Sequence, residues 1–221
     1  MAKDTRVSRP KYRPRKPDPL MLRAQRILSG TARFDDRYMP DHAELVKLVD
    51  ILRSMGCVIV LVMGTWDIKH LGHEDYIQLG KDKSAQKYPK AEHVVTVVGV
   101  DSDKVTRARK GLNRPFVPEV ERAKQIAHTR SVDIVTLEYK LRALPRLLPH
   151  DVRVISESTK DEKKLKAQGK FCAHLVNLRQ QLNDSSSARL SRLTLEGKVE
   201  AAQIVETAMA KVLKEIRNGT T

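Results

Sequence analysis

The sequence predicts an α/β fold: a Rossmann-like doubly wound parallel sheet with a basic N-terminal arm and a C-terminal helical extension. Three observations predict it. The apolar run Cys57-Val-Ile-Val-Leu-Val-Met63 is rich in β-branched residues and lacks polar alternation, which suits a strand buried on both faces of a parallel sheet. Further strand patterns occur at His93–Val100, Val132–Leu137, Val152–Ile155 and Ala173–Leu178, with helical patterns between them. Strands alternating with helices at this spacing build right-handed βαβ units, and such sheets take ligands beyond the carboxyl ends of their strands.

In chain order, residues 1–33 carry ten Lys/Arg against Asp4 and Asp18, over half of the net charge of +15. Pro10, Pro14, Pro17 and Pro19 interrupt regular structure, so the segment to residue 40 is expected to be a solvated, partly extended arm. Clustered cations suit an acidic partner or nucleic acid, because contact with phosphates releases condensed counterions. Tyr12 is the only aromatic in the densest basic stretch, so base-stacking platforms are sparse. Leu45, Leu48, Val49 and Leu52 share one face of a helix over Asp41–Met55, with Gly56 as its stop. Later helical patterns cover Leu71–Lys81, Glu119–His128, Lys140–Leu148 and Lys160–Gln168. Beyond Leu178 the chain looks helical, and Val199, Ala202, Val205, Met209, Val212 and Ile216 form a stripe that serves either as core or as a homodimer seam. The organisation is therefore an arm (1–40), one α/β domain (41–195) and a terminal helix (196–221).

With 221 residues, 40% apolar and 31% charged, wholesale disorder is excluded. No window approaches the ~18 apolar residues of a membrane span, and the first thirty residues lack the apolar core of an export signal. A soluble, cytoplasmic protein without a membrane partner is expected. Cys57 and Cys172 belong to no CxxC or Cys/His cluster and are expected to be buried thiols in a reducing compartment.

The stretch that carries chemistry follows the first strand: Met63-Gly64-Thr65-Trp66-Asp67-Ile68-Lys69-His70-Leu71-Gly72-His73. Gly64 permits a tight exit from the sheet. His70 and His73, three apart at the mouth of the next helix, can point at one object outside its N-terminus. Free backbone N–H groups and the positive dipole end favour an anion there, and Gly72 offers no Cβ to hold a phosphate off. Two imidazoles add donors that respond to charge developing on the bound group.

This string resembles the (H/T)xGH nucleotidyltransferase superfamily, in which a strand leads into G-x-F-D-x-x-H-x-G-H; Trp66 stands in the usual Phe position. Val100-Asp101-Ser102-Asp103, Lys110-Gly111-Leu112-Asn113-Arg114-Pro115, Glu121-Arg122-Ala123 and Val132-Asp133-Ile134-Val135 follow in the order seen in cytidylyltransferase-like enzymes. The Lys-Gly-x-x-Arg-Pro element is similar to adenylyltransferases that activate heptose 1-phosphate, a group that also resembles glycerol-3-phosphate cytidylyltransferases. The likeness spans roughly residues 43–193 and leaves out the arm and the last helix.

What the resemblance implies is transfer of a nucleoside monophosphate from ATP or CTP to a phosphorylated sugar or alcohol, with magnesium (Mg2+) as cofactor and pyrophosphate as product. His70 and His73 would stabilise the triphosphate, and Lys110 and Arg122 would contact phosphates, with Arg114 as a helper. Gly64, Thr65, Trp66, Asp67, Gly72 and Asp101 would line the nucleotide site. Asp67 would fix the loop through backbone hydrogen bonds or position magnesium. A second nucleotide element is expected late in the domain. Ser156 to Thr159 is closer by letter, while Ser185, Ser186 and Ser187 fit better by order and are preferred; the family's threonines are missing from the latter tract. A nucleotide- or nucleic-acid-binding regulator on the same fold is the competing reading.

Overall fold

The computed structural model describes residues 17–156, 169–179, 194, 198–199, 202–207 and 209. Strands β1 (Cys57–Gly64), β2 (His93–Asp101), β3 (Ile134–Glu138), β4 (Val152–Ser156) and β5 (His174–Leu178) form one parallel sheet of order β3-β2-β1-β4-β5. The chain runs outward from β1 to β3, then crosses back to place β4 on the other side of β1. That reversal makes the β1–β4 junction the switch point of the sheet.

Helices α1 (Pro19–Leu28), α2 (Phe34–Arg37), α3 (His42–Ser54), α4 (Leu71–Lys87), α5 (Asp103–Lys110), α6 (Glu119–Ala127) and α7 (Leu144–Leu147) complete the described elements. Alternate residues of β1 feed two cores. Val58, Val60 and Val62 pack with Ile77 of α4 and Ala123 and Ile126 of α6. Ile59 and Leu61 pack with Leu45, Leu48, Val49 and Leu52 of α3 and with Ala24 and Ile27 of α1. This double coverage is why the strand has no polar face: each alternate side chain meets a helix layer, and burying each one is worth about 1.5–3 kcal/mol.

The doubly wound prediction holds, and all five strand patterns are strands. Helix α3 begins where predicted, because the Asp41 carboxylate accepts from the Ala43 and Glu44 amides at 2.7 and 3.1 Å. Other expectations need correction. The segment before residue 40 is not simply a solvated arm. Asp18 caps α1 by accepting from Leu20 N at 2.8 Å. Pro19 sits at the first helical position, where its missing N–H costs nothing, and Ala24 and Ile27 are buried. The Met39 amide donates to Val135 O at 2.8 Å, so this region is tied to β3.

Helix α4 runs to Lys87, six residues past the apolar pattern, through a polar segment in which only Ser84 is buried. Helix α5 was not foreseen. Of the Lys140–Leu148 pattern only Leu144–Leu147 is helical, since Arg142 takes φ +62° and Pro145 lies just beyond it. Cys57 is buried as expected, but Cys172, just ahead of β5, is only half-buried. The described members of the C-terminal stripe, Val199, Ala202, Val205 and Met209, are helical and exposed, so they are not core. The Lys160–Gln168 pattern lies outside the described residues. No helix among the described residues is long and apolar enough to cross a membrane.

Candidate active site

The site begins where β1 stops. A Cβ on Gly64 would stand 2.8 Å from the Trp66 indole, so glycine is required for the ring to fold back beneath the strand end. Trp66 and Ile68 take φ +56° and +47°, left-handed backbone that costs non-glycine residues ~1 kcal/mol or more. Five contacts hold the loop in place. Thr65 Oγ1 donates to Asp101 Oδ2 at 2.9 Å, and Trp66 Nε1 donates to Gly99 O at 3.0 Å. The buried Asp67 carboxylate accepts from the Phe116 and Val117 amides at 3.1 Å each and pairs with Arg114 Nε at 2.8 Å. Of the two roles foreseen for Asp67, backbone anchoring matches these contacts.

This braced loop delivers His70 to the N-cap of α4 in an extended conformation, φ −145°, with His73 one turn on. His73 N donates to His70 O at 2.9 Å. The rings do not diverge: their centroids lie 3.8 Å apart with planes 29° from parallel, and the Trp66 indole meets His73 edge-on at 5.3 Å. Two converging imidazoles therefore stand at a helix N-terminus with Gly72 between them. Amides, dipole and imidazole N–H groups favour an anion at one point.

The three cations singled out in the sequence are placed differently from one another. Arg122 has no exposed surface. Its Nε donates to Val117 O at 2.8 Å, Nη1 to Thr65 O and Asp101 O, and Nη2 to Asp103 Oδ1 at 2.7 Å. It thus knots the ends of β1 and β2 to α5 and to the loop before α6, with every nitrogen of its guanidinium already bonded within the protein. Arg114 is spent on Asp67 and lies over the Phe116 ring at 4.8 Å, which makes it another brace. Lys110 ends α5 on the exposed side, and desolvation, then the neighbouring Arg114 and Arg109 cations, holds its ammonium below the usual lysine range. Of the predicted phosphate-binding cations it is the one left accessible.

Sequence reasoning missed Arg109, which pairs with the buried Asp101 carboxylate while keeping 43% of its side chain exposed. It also missed Arg153, a charged residue inside a strand, and that position was the available signal. Ser156 closes β4 and is half-buried. Ser185, Ser186 and Ser187 lie outside the described residues.

No family model matches the chain. It is 32% identical over 102 residues to the bifunctional protein HldE of Nitratiruptor sp., covering 46% of this chain and 20% of that protein. The HldE proteins of Geobacter metallireducens and Helicobacter pylori are 31% and 35% identical over 108 and 98 residues, 48% and 44% of this chain. The chain thus spans about a fifth of the length of these relatives, 20% and 19% for the latter two. Among solved structures, the lipopolysaccharide core biosynthesis protein of Thermoplasma volcanium is 24% identical with a TM-score of 0.44, covering 57% of this chain and 98% of that one. A pantoate–β-alanine ligase of Francisella tularensis is 11% identical with a TM-score of 0.46, over 66% and 68% of the two chains. Over 98–108 residues, then, this chain is similar in sequence to part of the HldE proteins.

Proposed function

We propose that this protein is a nucleotidyltransferase that moves a nucleoside monophosphate from ATP, or from CTP, to a phosphorylated sugar or alcohol and releases pyrophosphate. The observation that carries the reading is the stacked His70–His73 pair at the N-terminus of α4, held there by the braced Thr65–Asp67 loop. ATP is favoured because HldE combines a heptose 7-phosphate kinase with a heptose 1-phosphate adenylyltransferase.

The chemistry asks little of the protein in the way of proton transfer. An acceptor phosphate is already anionic at neutral pH, so its oxygen attacks the α-phosphorus without a general base while the bond to pyrophosphate breaks. The residues of this chain orient the two substrates and offset charge growing on the leaving group. His70 and His73 act on the triphosphate at the helix mouth, and Lys110 supplies an accessible cation from the end of α5.

Bound magnesium would supply counter-charge to the triphosphate. Among the described residues no group of three or more His, Cys, Asp or Glu side chains could cage an ion, and the Asp67 carboxylate is committed to Arg114 and two amides. Such an ion is held chiefly by phosphate oxygens and water.

The test is a pyrophosphate-release screen of ATP and CTP, with magnesium, against phosphorylated sugars and alcohols. Turnover with at least one pair supports the reading. Failure of both nucleotides to bind the folded protein would remove it and leave a regulator on the same fold.

A further inference from the structure

Arg153 lies in β4, in register with Leu61 of β1, and so stands beside the switch point of the sheet. It keeps only 8% of its surface, yet Nε and Nη1 find no hydrogen-bond acceptor among the described residues. The nearby acids are otherwise engaged. Asp101 is held by Thr65 and Arg109, and Glu138 accepts from the Ala143 and Leu144 amides at 2.8 and 3.1 Å. Burial pulls the guanidinium down to about 10, and its electrostatic neighbours are Tyr76, Glu138, Cys172 and Asp101. Glu138 and Asp101 end β3 and β2, and Tyr76 is in the second turn of α4. Arg153 thus sits beside β1, whose carboxyl end leads into the loop that carries the stacked histidines.

A buried guanidinium with two donors left without acceptors is costly to the fold, because their desolvation is not offset by partners. Arg122, on α6, is built differently and has four acceptors. An anionic ligand would supply both the missing charge and the missing oxygens, and charge-assisted bonds from arginine to phosphate are among the stronger ones.

We propose that Arg153 is the recognition residue for the phosphate of the acceptor substrate, so that the nucleotide is held on the α4 side of β1 and the acceptor on the β4 side. This inference rests on the transferase reading for the identity of the ligand, but not for the existence of the anion site. With the triphosphate site filled by a non-hydrolysable ATP analogue, thermal unfolding of the full chain is followed against inorganic phosphate and against a phosphomonoester, at constant ionic strength. The wild type is stabilised by both. Arg153→Met unfolds at the wild-type temperature or above it, because an uncompensated charge has been removed, and loses the phosphate-dependent shift. Arg153→Lys keeps the charge without the planar donors and retains a reduced shift. In turnover assays either substitution raises the acceptor KM, by about 30-fold or more for Met, with the ATP KM unchanged.

An Arg153→Met protein that unfolds several degrees lower while keeping the phosphate shift would make the arginine structural and overturn the proposal. So would an Arg153→Lys protein with the full phosphate shift and an unchanged acceptor KM. Phosphate stabilisation that depends on Arg153, in a protein that turns over no nucleotide, would uphold the anion site and defeat the transferase reading instead.

Discussion

Arg122 and Arg153 are the buried arginines among the described residues, with 0% and 8% of their surface open, and their surroundings differ sharply. Around Arg122 the carboxyl end of the sheet is saturated: its guanidinium bonds to Val117 O, Thr65 O, Asp101 O and Asp103, while Arg114 and Arg109 hold Asp67 and Asp101. Around Arg153 nothing answers Nε or Nη1, and His150 Nε2 is likewise buried without a partner among the described residues. A buried cation with local acceptors holds backbone in place. One without them is a cost the fold carries, and such exceptions to polar satisfaction concentrate at functional sites.

The largest expected effect breaks the comparison on its saturated side. Arg122→Met leaves the buried Thr65 and Asp101 carbonyls, and the half-buried Val117 O and Asp103, without their donor and should cost about 3–5 kcal/mol in urea unfolding. A loss below ~1 kcal/mol would show that the knot is decorative and that the two arginines do not differ in kind.

A smaller effect sharpens the contrast at the loop. Trp66→Phe keeps the aromatic bulk but leaves Gly99 O without the indole donor, for about 1 kcal/mol of stability. A rotated His73, read by NMR, should accompany that loss, since the indole edge abuts the imidazole.

The smallest effect lies on the Arg153 side and depends on pH. Burial pushes the Glu138 carboxyl above its ordinary value of 4.5, outweighing the two amides that favour the anion. A raised acid is neutral longer in the folded state, so the cost of charging it appears as pH climbs past that value. Glu138→Gln, which keeps an oxygen for the amides of Ala143 and Leu144, should be slightly more stable than wild type at pH 7 and no more stable at pH 4. A gain that persists at pH 4 would contradict this assignment of cause.

These contrasts also mark what could be read in the sequence. The strands were legible because β1 and β2 are buried along almost their whole length, and burial on both faces leaves an uninterrupted apolar run. Helix α5 was not, since Asp103–Lys110 buries only Val105 and Thr106 and shows no apolar stripe. Helix α1 was hidden by its basic, proline-rich flank, although Asp18-Pro19 is itself a helix-start signal. At the site, the convergence of His70 and His73 followed from local spacing. The employment of Arg122 did not, because its acceptors come from β1, β2 and two loops that meet only in the folded chain. Arg153 escaped notice for the same reason: whether a strand arginine has a partner is decided by distant residues.

The central claim is that the stacked imidazoles act on a bound triphosphate, and paired measurements on His70→Ala and His73→Ala test it most directly: nucleotide affinity by titration calorimetry and pyrophosphate release under saturating substrates. The account predicts folded proteins in which each substitution slows release by about 10²–10³-fold. Release at the wild-type rate from either variant would contradict it.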